Sequence, residues 1–133
     1  MGMKRILLIE DDPVVRSVYQ RYLQSNGFSV EVAINGEEGL VKLTTVQPDA
    51  VIVDVMMPKL GGVAVIRSLR AQDTFCSIPV VVLTNAVIPA FVEEARAAGA
   101  NYVFDKARHS PPAVGALLHR LLNTVPEPQQ TGN

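Results

Sequence analysis

The sequence is short of cysteine, has no excess of positive charge and contains no apolar run long enough to span a bilayer. Its single cysteine, Cys76, cannot form an internal disulfide, a pattern typical of cytoplasmic proteins. A net charge of −1 gives no general attraction to nucleic acid, because phosphate binding needs a clustered basic surface. The longest apolar stretches, AVIVDVMM and IPVVVL, are far too short for a membrane-spanning helix. We therefore expect a cytoplasmic protein without membrane or direct nucleic-acid contacts.

Three further features narrow the class of protein. The N-terminal MGMKRILLIEDD places acids where a signal peptide has its small-residue cleavage site, so we do not predict a signal peptide. His109 and His119 have no Cys or His partner at ligand spacing, which disfavours a zinc site, and we expect both on the surface or on a helix face. We expect Cys76 to be half-buried in a loop. At 133 residues, 48% hydrophobic and 19% charged, the chain is sized for one globular core.

Hydrophobic periodicity alternates between strands and helices five times along the chain. The strand-like runs RILLI, AVIVDV and IPVVVL are almost continuously apolar and rich in β-branched residues, as in strands that are covered on both faces. We therefore predict an α/β fold with a parallel sheet and helices on either side. The predicted strands cover 4–9, 28–34, 50–55, 78–84 and 101–105, and the predicted helices cover 13–25, 36–46, 62–72, 88–98 and 111–124.

Turn and capping residues support these boundaries. Asn35 with Glu38 three residues on has the form of a helix N-cap, as has Ser110 before Pro111. Glycines 27 and 99 lie where helices should end. The segment 126–133, PEPQQTGN, has no apolar stripe and is predicted to be a flexible tail or the start of a linker. One face of the last helix is predicted to pack in the core through Val114, Leu117, Leu118, Leu121, Leu122 and Val125.

The stretch LLIEDDPVV ends a buried strand in three acids. Neighbouring carboxylates repel each other by roughly 4 kcal/mol at 4 Å and an effective dielectric constant of 20, so folding alone does not favour them. Asp12 has a structural explanation as an N-cap, since Pro13 can occupy the first helical position. Glu10 and Asp11 remain, which indicates a nearby cation.

Other polar residues end the remaining strands. In an open parallel α/β sheet, ligands bind beyond the carboxyl ends of the strands, where the strand order reverses. If strands one and three are neighbours, Glu10 and Asp11 converge with Asp54, and three carboxylates form an oxygen pocket suited to magnesium. Asp49 begins strand three, at the opposite edge. Thr84 and Lys106 end strands four and five, although each by itself has an ordinary explanation as a strand-end or solvated residue.

With these residues in order, the chain resembles the receiver domains of bacterial response regulators. The resemblance covers residues 4–124 and rests on LLIEDD, DVMMP with a glycine four residues beyond its proline, VVLTNA and GANYVFDK. It implies a flavodoxin-like (βα)5 three-layer sandwich, with a five-stranded parallel sheet of order 2-1-3-4-5. The receiver domain would cover 1–125.

The resemblance also implies a function. Asp54 would be the phosphoacceptor, taking a phosphoryl group from a phosphohistidine on a sensor histidine kinase or phosphotransfer protein, with Mg²⁺ as cofactor. A change of population at the fourth helix, fifth strand and fifth helix would then alter binding to a downstream protein or effector domain, and pairing of two copies there stays open. The implied metal ligands are Asp11 and Asp54 directly, Glu10 through water and the backbone carbonyl of Met56; Lys106 and the Thr84 hydroxyl would bind phosphoryl oxygens.

The sequence departs from the family at two places, and two neighbours of the site are also informative. Ala107 follows Lys106 where the family usually has a proline in a cis bond, so we expect a trans bond and a different loop. Val103 replaces the usual aromatic residue three positions before the lysine, which argues against the common Tyr-Thr switch. Met56 and Ala86 are apolar where polar groups could orient an attacking water, so we expect the acyl phosphate to hydrolyse slowly.

Other functions compete with this one. A phosphorylation-independent module could keep the fold and signal by docking alone. A magnesium-dependent phosphatase of another aspartyl-phosphate family generally has a second aspartate two residues past the nucleophile, where this chain has Met56. Flavin binding lacks a phosphate-cradling loop after strand one, where the acids would repel a phosphate.

Overall fold

The computed structural model describes residues 2–55, 57, 60–85, 88–107 and 110–125. Strands and helices alternate through the chain as the periodicity predicts, with one added turn of 3-10 helix at Asp73–Phe75. The strands are β1 (Arg5–Ile9), β2 (Ser29–Ala33), β3 (Ala50–Asp54), β4 (Val80–Thr84) and β5 (Tyr102–Asp105). The helices are α1 (Pro13–Ser25), α2 (Gly36–Val46), α3 (Gly62–Arg70), α4 (Pro89–Ala98) and α5 (Pro111–Leu122).

The five strands form one parallel sheet in the order β2-β1-β3-β4-β5. This confirms the predicted α/β fold and its 2-1-3-4-5 order. The strand order reverses between β1 and β3, which are hydrogen-bonded neighbours with Ile9 opposite Val53. The register places Asp54 opposite Leu83 on β4. The residues that follow β1 and end β3 therefore meet at the carboxyl edge of the sheet.

Two apolar layers cover the sheet because successive side chains of a strand point to opposite faces. On one face, Leu7, Ile9, Val51 and Val53 pack with residues of α2, α3 and α4. On the other face, the alternate residues of the same strands pack with α1 and α5. All residues of β3 and β4 are buried, as their nearly continuous apolar runs predict. The domain is thus a three-layer sandwich with the sheet in the middle.

Side-chain caps fix where two helices begin. Asp12 Oδ1 accepts hydrogen bonds from the backbone N–H groups of Val14 at 2.9 Å and Val15 at 3.3 Å, which makes it the N-cap of α1. Asn35 Oδ1 accepts from the N–H of Glu38 at 2.8 Å at the start of α2. Both caps agree with the sequence-based prediction. The first cap matters for the site, because it fixes the turn that carries Glu10 and Asp11.

His119 lies on a helix face, as predicted, and is buried there, with its ring stacked on Phe28 at a centroid distance of 4.4 Å. Two other peripheral predictions need correction. Cys76 is exposed: it directly follows the 3-10 turn, and its Sγ lies 3.3 Å from the Asp73 carbonyl oxygen. Val125 follows the end of α5 and is exposed, so it is not part of the apolar face of that helix. His109 and the segment 126–133 lie outside the described residues.

No helix in the described part of the chain is long and apolar enough to cross a bilayer.

Candidate functional site

The strand-end residues singled out in the sequence gather at the carboxyl edge of the sheet. Glu10 and Asp11 follow β1, and Asp54 and Thr84 are the last residues of β3 and β4. Lys106 directly follows β5, where its backbone N–H donates to the Thr84 carbonyl at 3.0 Å and extends the β4–β5 ladder by one bond. One edge of the sheet therefore carries three acids, a hydroxyl and an amine.

Asp49 lies at the opposite edge, as predicted. Its Oδ2 accepts a hydrogen bond from the backbone N–H of Arg5 at 2.8 Å, at the amino end of β1. Asp49 therefore has a structural role far from the other acids and serves below as a control position.

The three acids converge on one another. One carboxylate oxygen from each of Glu10, Asp11 and Asp54 lies within 4.8 Å of the other two. Glu10 and Asp54 are buried, with exposed fractions of 1% and 5%, whereas Asp11 is partly exposed. The cluster therefore opens to solvent on the side of Asp11. This confirms that the acids meet, which was the geometric condition for an oxygen-rich metal pocket.

Lys106 joins two of the three acids. Its Nζ lies 2.8 Å from Glu10 Oε1 and 3.1 Å from Asp54 Oδ2. Burial alone would lower the pKa of Lys106, but the two carboxylates outweigh burial, and the pKa is raised above its usual value. The ammonium therefore stays protonated at neutral pH and offsets part of the repulsion within the cluster.

Glu10 is held through both of its carboxylate oxygens. Oε2 accepts a hydrogen bond from the backbone N–H of Asp12 at 3.1 Å, and Oε1 contacts the Lys106 ammonium. The Oε1 contact is an ion pair only, since this oxygen has no hydrogen bond of normal geometry within the described part of the chain. Burial raises the pKa of Glu10, while the lysine and the Asp12 N–H offset part of this effect. The side chain is therefore a buried acid whose charge depends on nearby cations.

Thr84 is placed close to this cluster by the register of the sheet. It is buried at the end of β4, one residue beyond the Leu83 that faces Asp54.

Met56 and Ala86 lie outside the described residues, so the predicted Met56 carbonyl ligand stays a prediction. The Lys106–Ala107 bond is trans, since no cis peptide occurs among the described residues. Val103 lies half-buried and packs against the apolar layer on the α2–α4 side.

Gly62 fixes the backbone behind Asp54. It is the glycine four residues beyond Pro58 in the motif, and it is the first residue of α3. Its N–H donates to the carbonyl of Val55 at 3.2 Å. A Cβ at this position would lie 2.4 Å from the carbonyl oxygen of Asp54, which is too close for any side chain. Only glycine allows α3 to begin so near the end of β3.

One contact of the site was missed by sequence reasoning. The Arg16 side chain, one turn into α1, donates from Nη1 to the carbonyl oxygen of Glu10 at 2.8 Å. It also reaches the carbonyl oxygen of Asp11 at 3.3 Å. The available signal was a cationic residue one helical turn after the acids. Its partners are backbone atoms, however, and these leave no mark in a sequence.

A groove of about 430 Å³ lies beside the site, between α1 and the start of α5. Lys106 and Tyr19 form part of its wall, together with Val14 and Val18 of α1. The two valines are 69% and 48% exposed, so the groove presents apolar surface to solvent directly beside the ammonium group.

Comparison with known proteins identifies the family. The model of the response regulator receiver domain matches residues 6–115. Response regulator MprA of Mycolicibacterium vanbaalenii is 46% identical over 80 residues, which are 60% of this chain and 34% of that protein. The match thus spans about a third of the length of this curated relative.

Solved structures give the same result. Chemotaxis protein CheY4 of Vibrio cholerae is 29% identical with a TM-score of 0.84, over 90% of this chain and 99% of that chain. The receiver domain of a signal transduction histidine kinase from Syntrophus aciditrophicus is 30% identical with a TM-score of 0.83, over 96% of both chains. The receiver domain of sensor histidine kinase PA1611 from Pseudomonas aeruginosa PAO1, which has a magnesium ion coordinated in its active site cleft, is 27% identical with a TM-score of 0.83, over 93% of this chain and all of that chain. The chain therefore belongs to the family of response regulator receiver domains of two-component systems.

Proposed function

We propose that this receiver accepts a phosphoryl group on Asp54, from a phosphohistidine of a sensor histidine kinase or phosphotransfer protein, in a reaction that requires Mg²⁺. The observation that carries the proposal is the cluster at the carboxyl edge of the sheet. There, oxygens of Glu10, Asp11 and Asp54 lie within 4.8 Å of one another, and Lys106 contacts two of these acids. Folding alone gives no reason to gather like charges in this way.

The chemistry suits a carboxylate nucleophile. An Asp54 oxygen attacks the phosphorus, and a new O–P bond forms while the P–N bond to the donor imidazole breaks. The imidazole takes the electron pair of the broken bond and is released after it gains a proton. The product is an aspartyl phosphate, an acyl phosphate. Because Asp54 is almost fully buried, only a donor that enters the open side of the cluster reaches it.

The residues present fit magnesium. All three acids of the cluster offer oxygen atoms, the ligands that this hard cation prefers. Asp11 and Asp54 would bind it directly, since Glu10 already accepts an N–H with Oε2 and contacts the lysine with Oε1. This favours a role of Glu10 through water, as the resemblance implies. When bound, the ion would neutralise charge that develops on the transferring phosphoryl oxygens.

Lys106 and Thr84 would hold the phosphoryl group after transfer. The ammonium lies 3.1 Å from Asp54 Oδ2, within reach of a phosphoryl oxygen attached to that carboxylate. The Thr84 hydroxyl would bind a second phosphoryl oxygen, because Thr84 lies at the end of the strand next to the one that carries Asp54. Movement of Thr84 and of the backbone is then the route by which phosphorylation changes the surface, since Val103 lacks the aromatic ring of the common switch.

The partners follow from two surfaces. The groove beside Lys106, with its exposed valines on α1, is suited to an apolar helix of the phosphodonor protein. The face of α4, β5 and α5 carries the half-buried Phe91 with exposed Glu94 and Arg96, and would bind the downstream protein, an effector domain or a second copy of the chain.

A phosphorylation-independent docking module is the second candidate, and one experiment separates the two. The protein is incubated with acetyl phosphate and Mg²⁺ and its intact mass is measured, in parallel with Asp54→Asn and Asp49→Asn. We expect one phosphoryl adduct on the wild type and on Asp49→Asn, and none on Asp54→Asn or when EDTA removes the metal. A folded wild type that gains no adduct would instead support the docking module.

A further inference from the structure

Arg16 supports the turn that carries two of the three acids. Both carbonyls that it contacts, those of Glu10 and Asp11, lie beyond Ile9, the last residue of β1, although the N–H of Glu10 still donates to the Ala33 carbonyl at 3.0 Å. Polar backbone groups in a part-buried turn need partners. The guanidinium provides a partner for both, from a single nitrogen atom.

The turn is held from three directions. Asp12 caps α1 through its side chain and donates its N–H to Glu10 Oε2 at 3.1 Å. The backbone N–H of Arg16 donates to the Asp12 carbonyl at 2.9 Å, so the backbone of Arg16 is held in the first turn of α1. Its side chain then folds back onto the two peptide groups on either side of the Asp11 Cα, those of the Glu10 and Asp11 carbonyls. These peptide planes set the direction in which the Asp11 Cα–Cβ bond points.

We propose that Arg16 is a positioning residue for magnesium binding. It orients the acids of the turn, and it does so only through the backbone of Glu10 and Asp11. This inference rests on the proposed function above. Mg²⁺ requires almost ideal octahedral geometry, whereas Ca²⁺ accepts flexible coordination. A turn that is free to rotate would therefore lose affinity for Mg²⁺ before it loses affinity for Ca²⁺.

The contacts favour a geometric role over a role of charge. In the described part of the chain Arg16 forms no ion pair with an acid, and the cation that touches the carboxylates is Lys106. Arg16 reaches carbonyl oxygens instead. Residues that hold the metal ligands in place without touching the metal typically lower metal affinity by about 10-fold to 100-fold when they are removed.

The test measures metal selectivity by calorimetric titration of the whole chain with Mg²⁺ and with Ca²⁺. The variants are Arg16→Gln and the matched control Arg21→Gln, whose arginine is exposed on the same helix and has no side-chain partner among the described residues. We expect Arg16→Gln to weaken Mg²⁺ binding about tenfold or more and Ca²⁺ binding clearly less. We expect Arg21→Gln to match the wild type with both ions. Thermal unfolding in EDTA checks that each variant folds.

The ratio of the two affinities distinguishes positioning from loss of stability. General destabilisation weakens the binding of both ions equally, so an unchanged ratio in Arg16→Gln overturns the proposal. Arg16→Lys keeps the positive charge but not the reach of the guanidinium, so its ratio of Mg²⁺ to Ca²⁺ affinity should stay below that of the wild type. Full recovery of the wild-type ratio would indicate that charge alone is responsible and would also overturn the proposal. A folded wild type that binds neither ion overturns the proposed function and this inference with it. If the wild type binds Mg²⁺ and Arg16→Gln leaves the ratio of the two affinities unchanged, only the role of Arg16 is overturned and the proposed function stands.

Discussion

Gly62→Ala should damage the site through the backbone, without touching any charged residue. Gly62 begins α3 directly against the end of β3. The added methyl carbon would lie 2.4 Å from the carbonyl oxygen of Asp54 and 2.8 Å from the Cα of Val55. Both contacts are backbone atoms, so no flexible side chain can move away. The strand end that carries Asp54 and the start of α3 must therefore separate.

The size of the effect follows from this distance. Reaching even a tight contact of 3.0 Å requires a shift of about 0.6 Å, at a close-packed position. Overpacking of this kind destabilises by about 1 to 3 kcal/mol, which lowers the Tm by roughly 4 to 12 °C in a domain of this size. A misplacement of about 1 Å can reduce a rate roughly 100-fold. We expect phosphorylation by acetyl phosphate to be at least about tenfold slower.

Gly61→Ala is the matched control for this experiment. Among the described residues, its added Cβ would meet nothing closer than the Val55 carbonyl oxygen at 3.6 Å, and its φ of −71° suits any residue. Rates of adduct formation by intact mass and thermal unfolding are measured for both variants. A Gly62→Ala protein that matches both Gly61→Ala and the wild type in rate and Tm would refute the reasoning.

Four further predictions concern single residues. Lys106→Met removes the cation between two acids and should slow phosphorylation by about 100-fold or more, measured as adduct formation; a rate near the wild type would contradict its role. Arg70→Met removes four hydrogen bonds made by the last residue of α3, three to Gly99 and Asn101 before β5 and one to the Phe75 carbonyl; it should lower the free energy of unfolding by about 2 to 4 kcal/mol in urea titrations while the phosphorylation rate of the folded protein stays unchanged. Asn35→Ala removes the α2 cap and should cost about 1 kcal/mol in the same titration, and no loss would argue against the cap. Met56→Asn should speed loss of the adduct after the donor is removed, and an unchanged decay rate would contradict the expected slow hydrolysis.

Much of the fold follows from local pattern. The runs of β-branched residues in β3 and β4 mark buried strands whatever their neighbours are, and the caps at Asp12 and Asn35 set where α1 and α2 begin. The 3-10 turn that ends at Phe75 was not predicted, because three residues carry no periodic signal. The Phe75 carbonyl accepts from Arg70 Nη1 at 3.1 Å, the Phe75 N–H donates to the Gln72 carbonyl at 3.0 Å, and the Phe75 side chain is buried in the core.

Burial of single polar residues was harder to predict. His119 lies beside the apolar face of α5, but its burial depends on the carbonyl of Asn26, to which Nε2 is hydrogen-bonded at 3.2 Å across 93 positions of sequence. Its other ring nitrogen lies 2.6 Å from the Thr124 hydroxyl. Thr124 is close in sequence, but the contact with Asn26 cannot be read from the neighbours of His119 along the chain. A histidine among leucines thus looks like a surface residue until the tertiary contacts are known.

The location of the site could be predicted from the sequence, whereas several of its side-chain contacts could not. The convergence of Glu10, Asp11 and Asp54 follows once β1 and β3 are adjacent, because the carboxyl ends of parallel strands share an edge. The strand order itself came from the family resemblance. The contact of Lys106 with Glu10 as well as Asp54 depends on side-chain reach, and the contact of Arg16 depends on backbone carbonyls.

The most direct test of the central claim locates the phosphoryl group itself. The protein is phosphorylated with acetyl phosphate and Mg²⁺, and the acyl phosphate is reduced with borohydride, which converts a phosphorylated aspartate to homoserine. Peptide mapping by mass spectrometry then finds the converted residue. The account predicts homoserine at position 54 and at no other acid of the cluster. Conversion at Glu10 or Asp11, or at no residue of a folded and magnesium-loaded sample, would contradict it.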